Sequence, residues 1–156
     1  MDNKTEIESL YARCIKLIYI RPRTEKEIKS YLLKLSCDQT LIDLIIDKLK
    51  KGDYLDDRKF ISWWIGQREY FRPRGKLLLK SELIQKGVDR EILEGFFNET
   101  NLDEVELALK ALSVKKLHFD RIEVQKRFKV AVNYLLRRGF SYDIAKKAFE
   151  QYYQMS

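Results

Sequence analysis

Few side chains in this sequence are suited to making or breaking bonds. A single histidine, His118, stands among 156 residues, so a Ser-His-Asp triad would need that one imidazole in place. Its expected position is a helix end. Zinc takes three or four Cys and His at short spacing, whereas Cys14, Cys37 and His118 are scattered. Arg74-Gly75-Lys76 lacks the upstream glycine and the following Ser or Thr of a phosphate-cradling loop. The carboxylate pairs Asp56-Asp57 and Asp103-Glu104 fall where helices are expected to begin, and negative charge there suits the helix dipole. The inventory points away from an enzyme and implies no cofactor and no metal.

The cationic residues carry more information. There are 31 Lys and Arg against 24 Asp and Glu, a formal charge of +7. Residues 1–57 are neutral, with 11 of each sign, so the excess lies in the last two-thirds of the chain. Arg68, Arg72, Arg74, Lys76 and Lys80 crowd one segment against Glu69 alone. Lys115 to Arg138 holds eight basic residues against Asp120 and Glu123. Lys126, Lys129 and Asn133 share helical spacing, which places part of that excess on one face. Such a face suits nucleic acid or another polyanion, the plain alternative being solvated helix surface. Arginines beside Pro22 and Pro73 are expected at helix starts, where a guanidinium can fork onto carboxylate or phosphate. Trp63, Trp64, Tyr70 and Phe71 are interleaved with this charge. Their spacing fits core packing better than base stacking, although adjacent tryptophans cannot both face inward. Tyr152 and Tyr153 pose the same question.

Helices must position these side chains. With 6 Gly and 2 Pro in the chain, the turn-makers reach less than half of the usual share of about 12%. A sandwich, barrel or doubly wound sheet needs many tight turns that this composition cannot supply. At 45% hydrophobic, the chain has material for one globular unit. No stretch approaches the roughly 20 apolar residues of a membrane span, and Met1 to Glu6 shows no basic-then-apolar leader, so no signal peptide is expected. Cys14 and Cys37 are expected as reduced core residues of a cytosolic protein, with a disulfide as the alternative.

A repeat orders the sequence. Arg21-Pro22-Arg23 recurs as Arg72-Pro73-Arg74 at an offset of 51, and Lys29-Ser30-x-Leu32 as Lys80-Ser81-x-Leu83. At a further offset of 52, Leu83-x-x-Lys86-Gly87-Val88-x-x-x-Ile92 becomes Leu135-x-x-Arg138-Gly139-Phe140-x-x-x-Ile144. A period near 50 means stacked supersecondary units. Each unit reads as three helices. In the first, Ile7, Leu10, Tyr11, Cys14, Leu17 and Ile18 form one apolar stripe. Thr24 with Glu27 forms a capping box opening the second helix, and Asp38 opens the third, which ends at Gly52. The second unit opens at Asp56 or Asp57, breaks at Pro73 and Gly75, continues from about Lys76 to Gly87, and restarts at Asp89. The third opens at Asn101 or Asp103. Asp120-x-x-Glu123 offers a second capping box before a long helix through Arg138, and Ser141 opens the last helix. Gly87 and Gly139 are expected to end helices in left-handed geometry. The expected fold is all-α, nine helices in three tandem three-helix repeats (1–54, 55–100 and 101–156) forming an elongated, curved helical array.

The run Arg21-Pro22-Arg23-Thr24-x-x-Glu27-Ile28 resembles the first-unit signature of the RecX regulatory-protein family, as does Tyr54-Leu55-Asp56-Asp57-Arg58-Lys59-Phe60 at the junction that follows. Arg68 with Gly75-x-x-x-Leu79-x-x-Glu82-Leu83-x-x-Lys86-Gly87-Val88 resembles that family's most recognisable segment, and Leu135-x-Arg137-Arg138-Gly139-Phe140-Ser141-Tyr142-x-Ile144 fits as well. The likeness spans roughly residues 10–150. Three departures stand out: Ser36 occupies the place of Gly87 and Gly139, the Trp63-Trp64 pair is bulky for its position, and the segment 110–126 matches poorly. The resemblance implies a cytoplasmic, non-enzymatic modulator of the RecA recombinase, acting in recombination, DNA repair and the SOS response. Such a protein lies in the groove of the RecA–DNA filament and inhibits ATPase activity and strand exchange. Its partners are that filament and single- or double-stranded DNA, met directly or within the filament, and a monomer is expected. The alternative is a stand-alone basic helical protein that grips DNA phosphates. The residues expected at the partner are Arg21, Arg23, Arg68, Arg72, Arg74, Lys76 and Lys80, then Lys126, Arg127, Lys129, Arg137 and Arg138.

Overall fold

The computed structural model describes residues 3–154, without the Phe71 side chain. Met1 and Asp2 of the leader expectation, Phe71 of the aromatic series and the last two residues of the third repeat lie outside that description. Among the described residues there are ten helices and no strand: α1 (Asn3–Ile20), α2 (Glu25–Lys34), α3 (Gln39–Lys51), α4 (Asp57–Phe71), α5 (Lys76–Gln85), α6 (Arg90–Glu99), α7 (Glu104–Val114), α8 (Lys116–Asp120), α9 (Val124–Arg137) and α10 (Tyr142–Gln154). The fold is all-α, built of three-helix groups.

Most helix starts follow the sequence signals. Thr24 accepts from the Glu27 amide while Glu27 accepts from the Thr24 amide, a complete capping box. Asp38 and Asp103 accept from the amides of Leu41 and Glu106. Asp56 caps α4 through the Arg58 and Lys59 amides, which frees Asp57 for another role. Asp89 accepts from the Glu91 amide at α6, and the Ile144 amide donates to Ser141 at α10.

The second expected capping box does not form. Asp120 ends the short helix α8, and Glu123, at the start of α9, makes no capping bond with its side chain. The short helix α8, whose Phe119 is 1% exposed, ends at Asp120, where the long helix was expected to open, so ten helices stand among the described residues where nine were read. Arg127 then reaches back from α9 to the carbonyls of Phe119, Asp120 and Ile122 at 3.0, 3.3 and 3.1 Å. These carbonyls belong to the end of α8 and the link that follows it, so one guanidinium ties α9 to that turn.

Gly87 and Gly139 end α5 and α9 at φ +97° and +91°. Ser36, at the equivalent place in the first repeat, takes φ +64°. The backbone conformation therefore persists where the glycine does not.

The chain divides into two compact units. One takes the residues up to Trp63 with Leu83–Phe96, the other Trp64–Glu82 with the residues from Phe97 on. In the first, α1, α2 and α3 close around Cys14, Ile28, Leu32, Ile45 and Leu49. Burial, and then the neighbouring Cys37, pushes the Cys14 thiol up to about 11, and both cysteines are free thiols. In the second, α7, α9 and α10 close around Leu112, Leu135 and Phe140. Ala108, Ala111, Ala145 and Ala148 are buried there too, small side chains that let helix backbones approach closely.

One junction occurs in each unit. In the first, Thr24, 0% exposed, donates from Oγ1 to the Lys86 carbonyl at 2.7 Å, and the Glu25 amide donates to the Asp57 carboxylate at 3.1 Å. In the second, the Gly75 amide donates to the Arg138 carbonyl at 2.7 Å, and the Lys76 amide to the Glu104 carboxylate at 2.8 Å. Each time a helix start is seated on the final turn of another helix and is capped by an acid from the opening turn of a third. The glycines are required by proximity. A Cβ on Gly75 would lie 2.3 Å from the Gly139 carbonyl oxygen, and one on Gly139 would lie 2.4 Å from Leu78 Cβ.

Candidate polyanion-binding face

Guanidinium groups outnumber the carboxylates that neutralise them in the second unit. The end of α4 supplies Arg68, the Arg72-Pro73-Arg74 link two more, and the end of α9 supplies Arg138. The one acid among them is Glu82 on α5. It pairs closely with Arg74, lies 3.6 Å from Arg68, and accepts from the Trp64 indole at 3.3 Å. The Arg74 and Glu82 side chains are each only 14% exposed. Burial pushes the Arg74 guanidinium below its ordinary value; Glu82 pulls it back up, and Arg68, Arg138 and Arg72 push it down again. Arg68 and Arg74 each also keep a buried Nε hydrogen with no partner. Arg68 stacks its guanidinium 4.5 Å from the Trp64 ring. Trp64 is thus held by Glu82 and Arg68, and Trp63 by Phe60 at 5.6 Å. Both tryptophans are half-buried.

The other expected contact residues divide by environment. Lys76 and Lys80 each hold an ammonium 5.5 Å from the Phe97 ring. On α9, Lys126, Lys129, Asn133 and Arg137 are exposed at helical spacing; Lys126 stands 3.9 Å from Glu123. Arg127 is half-buried, committed to α8 carbonyls and lying 5.2 Å from the Tyr153 ring. In the first unit, Arg21 forks onto Glu27 at 2.5 and 3.4 Å and Arg23 donates to the Leu17 carbonyl. Burial alone would raise the Glu27 carboxyl; Arg21 and the Thr24 amide outweigh it and hold it low.

The structure therefore pairs Arg74 and Arg68 with Glu82 and brings the charges of Arg138 and Arg72 to bear on Arg74. It leaves Arg72, Lys129 and Arg137 exposed, and gives Arg21, Arg23 and Arg127 intramolecular acceptors. Sequence reasoning treated Glu82 only as a motif position. Its signal was available in the repeat, which places this acid in register with Tyr31 and Tyr134. Among the described residues no group of three His, Cys, Asp or Glu is placed to hold a metal ion, and no helix is long and apolar enough to cross a membrane. The chemistry on offer is recognition of negative charge.

Comparison with known proteins agrees with the fold. Residues 11–49 match the RecX first three-helix domain and residues 56–95 the RecX second three-helix domain, together half of the chain. The regulatory protein RecX of Streptococcus equi subsp. equi is 30% identical over 141 residues, which cover 90% of this chain and 54% of that protein. The regulatory protein RecX of Streptococcus mutans is 30% identical, covering 94% and 57%. The chain spans about half the length of these curated relatives. The crystal structure of RecX from Lactobacillus salivarius superposes with a TM-score of 0.81 at 23% identity, covering 96% of this chain and 97% of that one. A second crystal structure, of regulatory protein RecX, gives 0.76 at 18% identity, covering 92% and 73%.

Proposed function

The chain belongs to the RecX family, and we propose that it is a non-enzymatic regulator that binds the groove of the RecA–DNA filament and inhibits ATPase activity and strand exchange. One observation carries the proposal most directly: Arg74 and Arg68 share the largely buried acid Glu82 while Arg138 and Arg72 press their charge on Arg74, so the site keeps a positive excess that an anionic partner would complete. Regulation then follows from differential affinity. A protein that binds one filament state more tightly shifts the population toward it, and does so only by that difference in affinity. Arg72, Lys76, Lys80, Lys129 and Arg137 would meet the partner. Arg21, Arg23, Arg68, Arg74 and Arg127 would shape the surface, and Lys126 and Arg138 would contribute charge at its margins. The protein would work as a cytoplasmic monomer, with its three repeats at 1–54, 55–100 and 101–156 acting as one array.

The exposed stripe Lys126, Lys129, Asn133 and Arg137 favours a second reading, direct binding of DNA phosphates without a recombinase. Salt dependence separates the two. Binding to free duplex through five or more phosphates gives a log–log slope of about −5. Affinity for the filament well above that for free duplex at the same salt supports the first reading. Equal affinities support the second.

A further inference from the structure

The repeat offsets bring three equivalent positions into register: Tyr31, Glu82 and Tyr134 at one, Glu27, Leu78 and Val130 at another, and Lys34, Gln85 and Arg137 at a third. In the first repeat they line a groove of about 450 Å3 that contains Glu27, an acid already engaged by Arg21. In the second repeat Glu82 engages Arg74 and Arg68. In the third, a groove of about 490 Å3 runs between α8 and α9, and Val130 stands where the first repeat has its acid. Its walls include Lys115, His118, Phe119, Tyr134, Arg137 and Arg138, and among the described residues no carboxylate lines it.

The groove pairs cations with aromatic rings. Phe119 and Tyr134 meet edge to face at 5.6 Å, His118 lies 5.4 Å from Phe119, and the Arg138 guanidinium is 5.4 Å from the Tyr134 ring. Lys115 and Arg137 are exposed and form no ion pair among the described residues. Three basic side chains on one concave surface repel one another, and an anion between them offsets that repulsion. The size lies within the range of small-ligand sites, roughly 300–1,000 Å3.

We propose that the α8–α9 groove is a binding site for the phosphate group of a nucleotide, held by Lys115, Arg137 and Arg138 with the nucleotide's ring system against Tyr134 and His118. The phosphate arrives either on a free nucleotide or within a single strand of nucleic acid, since both offer the same chemistry. The groove shares Arg137 with the proposed partner face, but mononucleotide binding is read without a recombinase, so the two readings can fail separately.

Titration calorimetry on the full chain with inorganic phosphate, deoxyadenosine monophosphate and a short oligothymidylate provides the test. The nucleotide probes should bind more tightly than inorganic phosphate, because only they reach the rings. The Lys115→Ala/Arg137→Ala variant should lose about tenfold in affinity, the size expected for removing charge-assisted contacts. Its log–log salt slope for the strand should become shallower by about 1 to 2. Val130→Glu supplies the acid that the first repeat carries and should block the groove with a comparable loss. Binding of the mononucleotide as tight as the strand's marks free nucleotide as the source, whereas binding of the strand alone marks nucleic acid. Unchanged affinity for every probe in the double variant overturns the proposal, as does failure of both nucleotide probes to bind the native chain.

Discussion

Replacing Glu82 by Gln should destabilise the second unit by about 3 kcal/mol. Gln keeps the shape and one acceptor oxygen, so the change isolates the charge. Removing one partner of a fully buried ion pair costs roughly 3–5 kcal/mol, because the other charge is left uncompensated. Glu82 and Arg74 are each 14% exposed, which puts their pair at the lower end of that range. Arg68, 30% exposed and 3.6 Å away, adds about 1 kcal/mol or less. The amide oxygen still accepting from Arg74 or Trp64 returns a similar amount. With a urea slope of about 1–3 kcal/mol/M for a small protein, the midpoint should fall by roughly 1–3 M. Sulfate should raise the variant's midpoint more than the native chain's, because the anion takes the place of the missing carboxylate between the Arg74 and Arg68 guanidiniums. A loss below about 1 kcal/mol, short of any buried-pair cost, would refute the reasoning, as would sulfate acting equally on both proteins.

The junctions, the caps and the exposed charges make further predictions. Gly139→Ala places a side chain at φ +91° and 2.4 Å from Leu78 Cβ; a loss of about 2–4 kcal/mol is expected from left-handed strain and overpacking together, read as a lowered thermal midpoint. Thr24→Val removes both the cap and the bond to the Lys86 carbonyl and should cost about 1–3 kcal/mol in urea unfolding. Glu25 and Glu27 are held below their ordinary value of 4.5; their contribution is therefore full above that pH and is lost as pH falls through the lower folded values. Asp57, raised by burial, works in the opposite sense. Glu27→Gln should therefore flatten the acid limb of a stability-against-pH curve. Arg72→Ala should change stability by less than about 0.5 kcal/mol, as for an exposed residue, while weakening polyanion binding.

The helical plan was legible because composition, capping signals and the repeat all pointed the same way. Thr24, Asp38, Asp103 and Ser141 cap their helices where local sequence placed them, since such caps depend on residues three positions away. Asp120 and Glu123 carried the same pattern, but burial of Phe119 overrode it. The candidate site was legible as a count of charges and not as an arrangement. On either side of Pro73, Arg72 is exposed whereas Arg74 is largely buried against Glu82. Nothing local distinguishes them, because the difference comes from α9, whose final carbonyls receive the amides of Gly75 and Leu77. Lys115, His118 and Tyr134 escaped notice as a group for the same reason: their groove exists only once α8 has separated from α9.

The most direct test of the regulatory account is recombinase ATPase activity on single-stranded DNA, titrated with this chain and with an Arg72→Glu/Lys129→Glu variant. Both substituted side chains are exposed and lie apart from the Glu82 pairs, so the variant should fold as the native chain does. The account predicts a dose-dependent fall in ATPase with the native chain, and at least a tenfold higher concentration of the variant for the same effect, equivalent to about 1.4 kcal/mol of binding. ATPase activity unaffected by the native chain, with tight binding to free duplex, would contradict it.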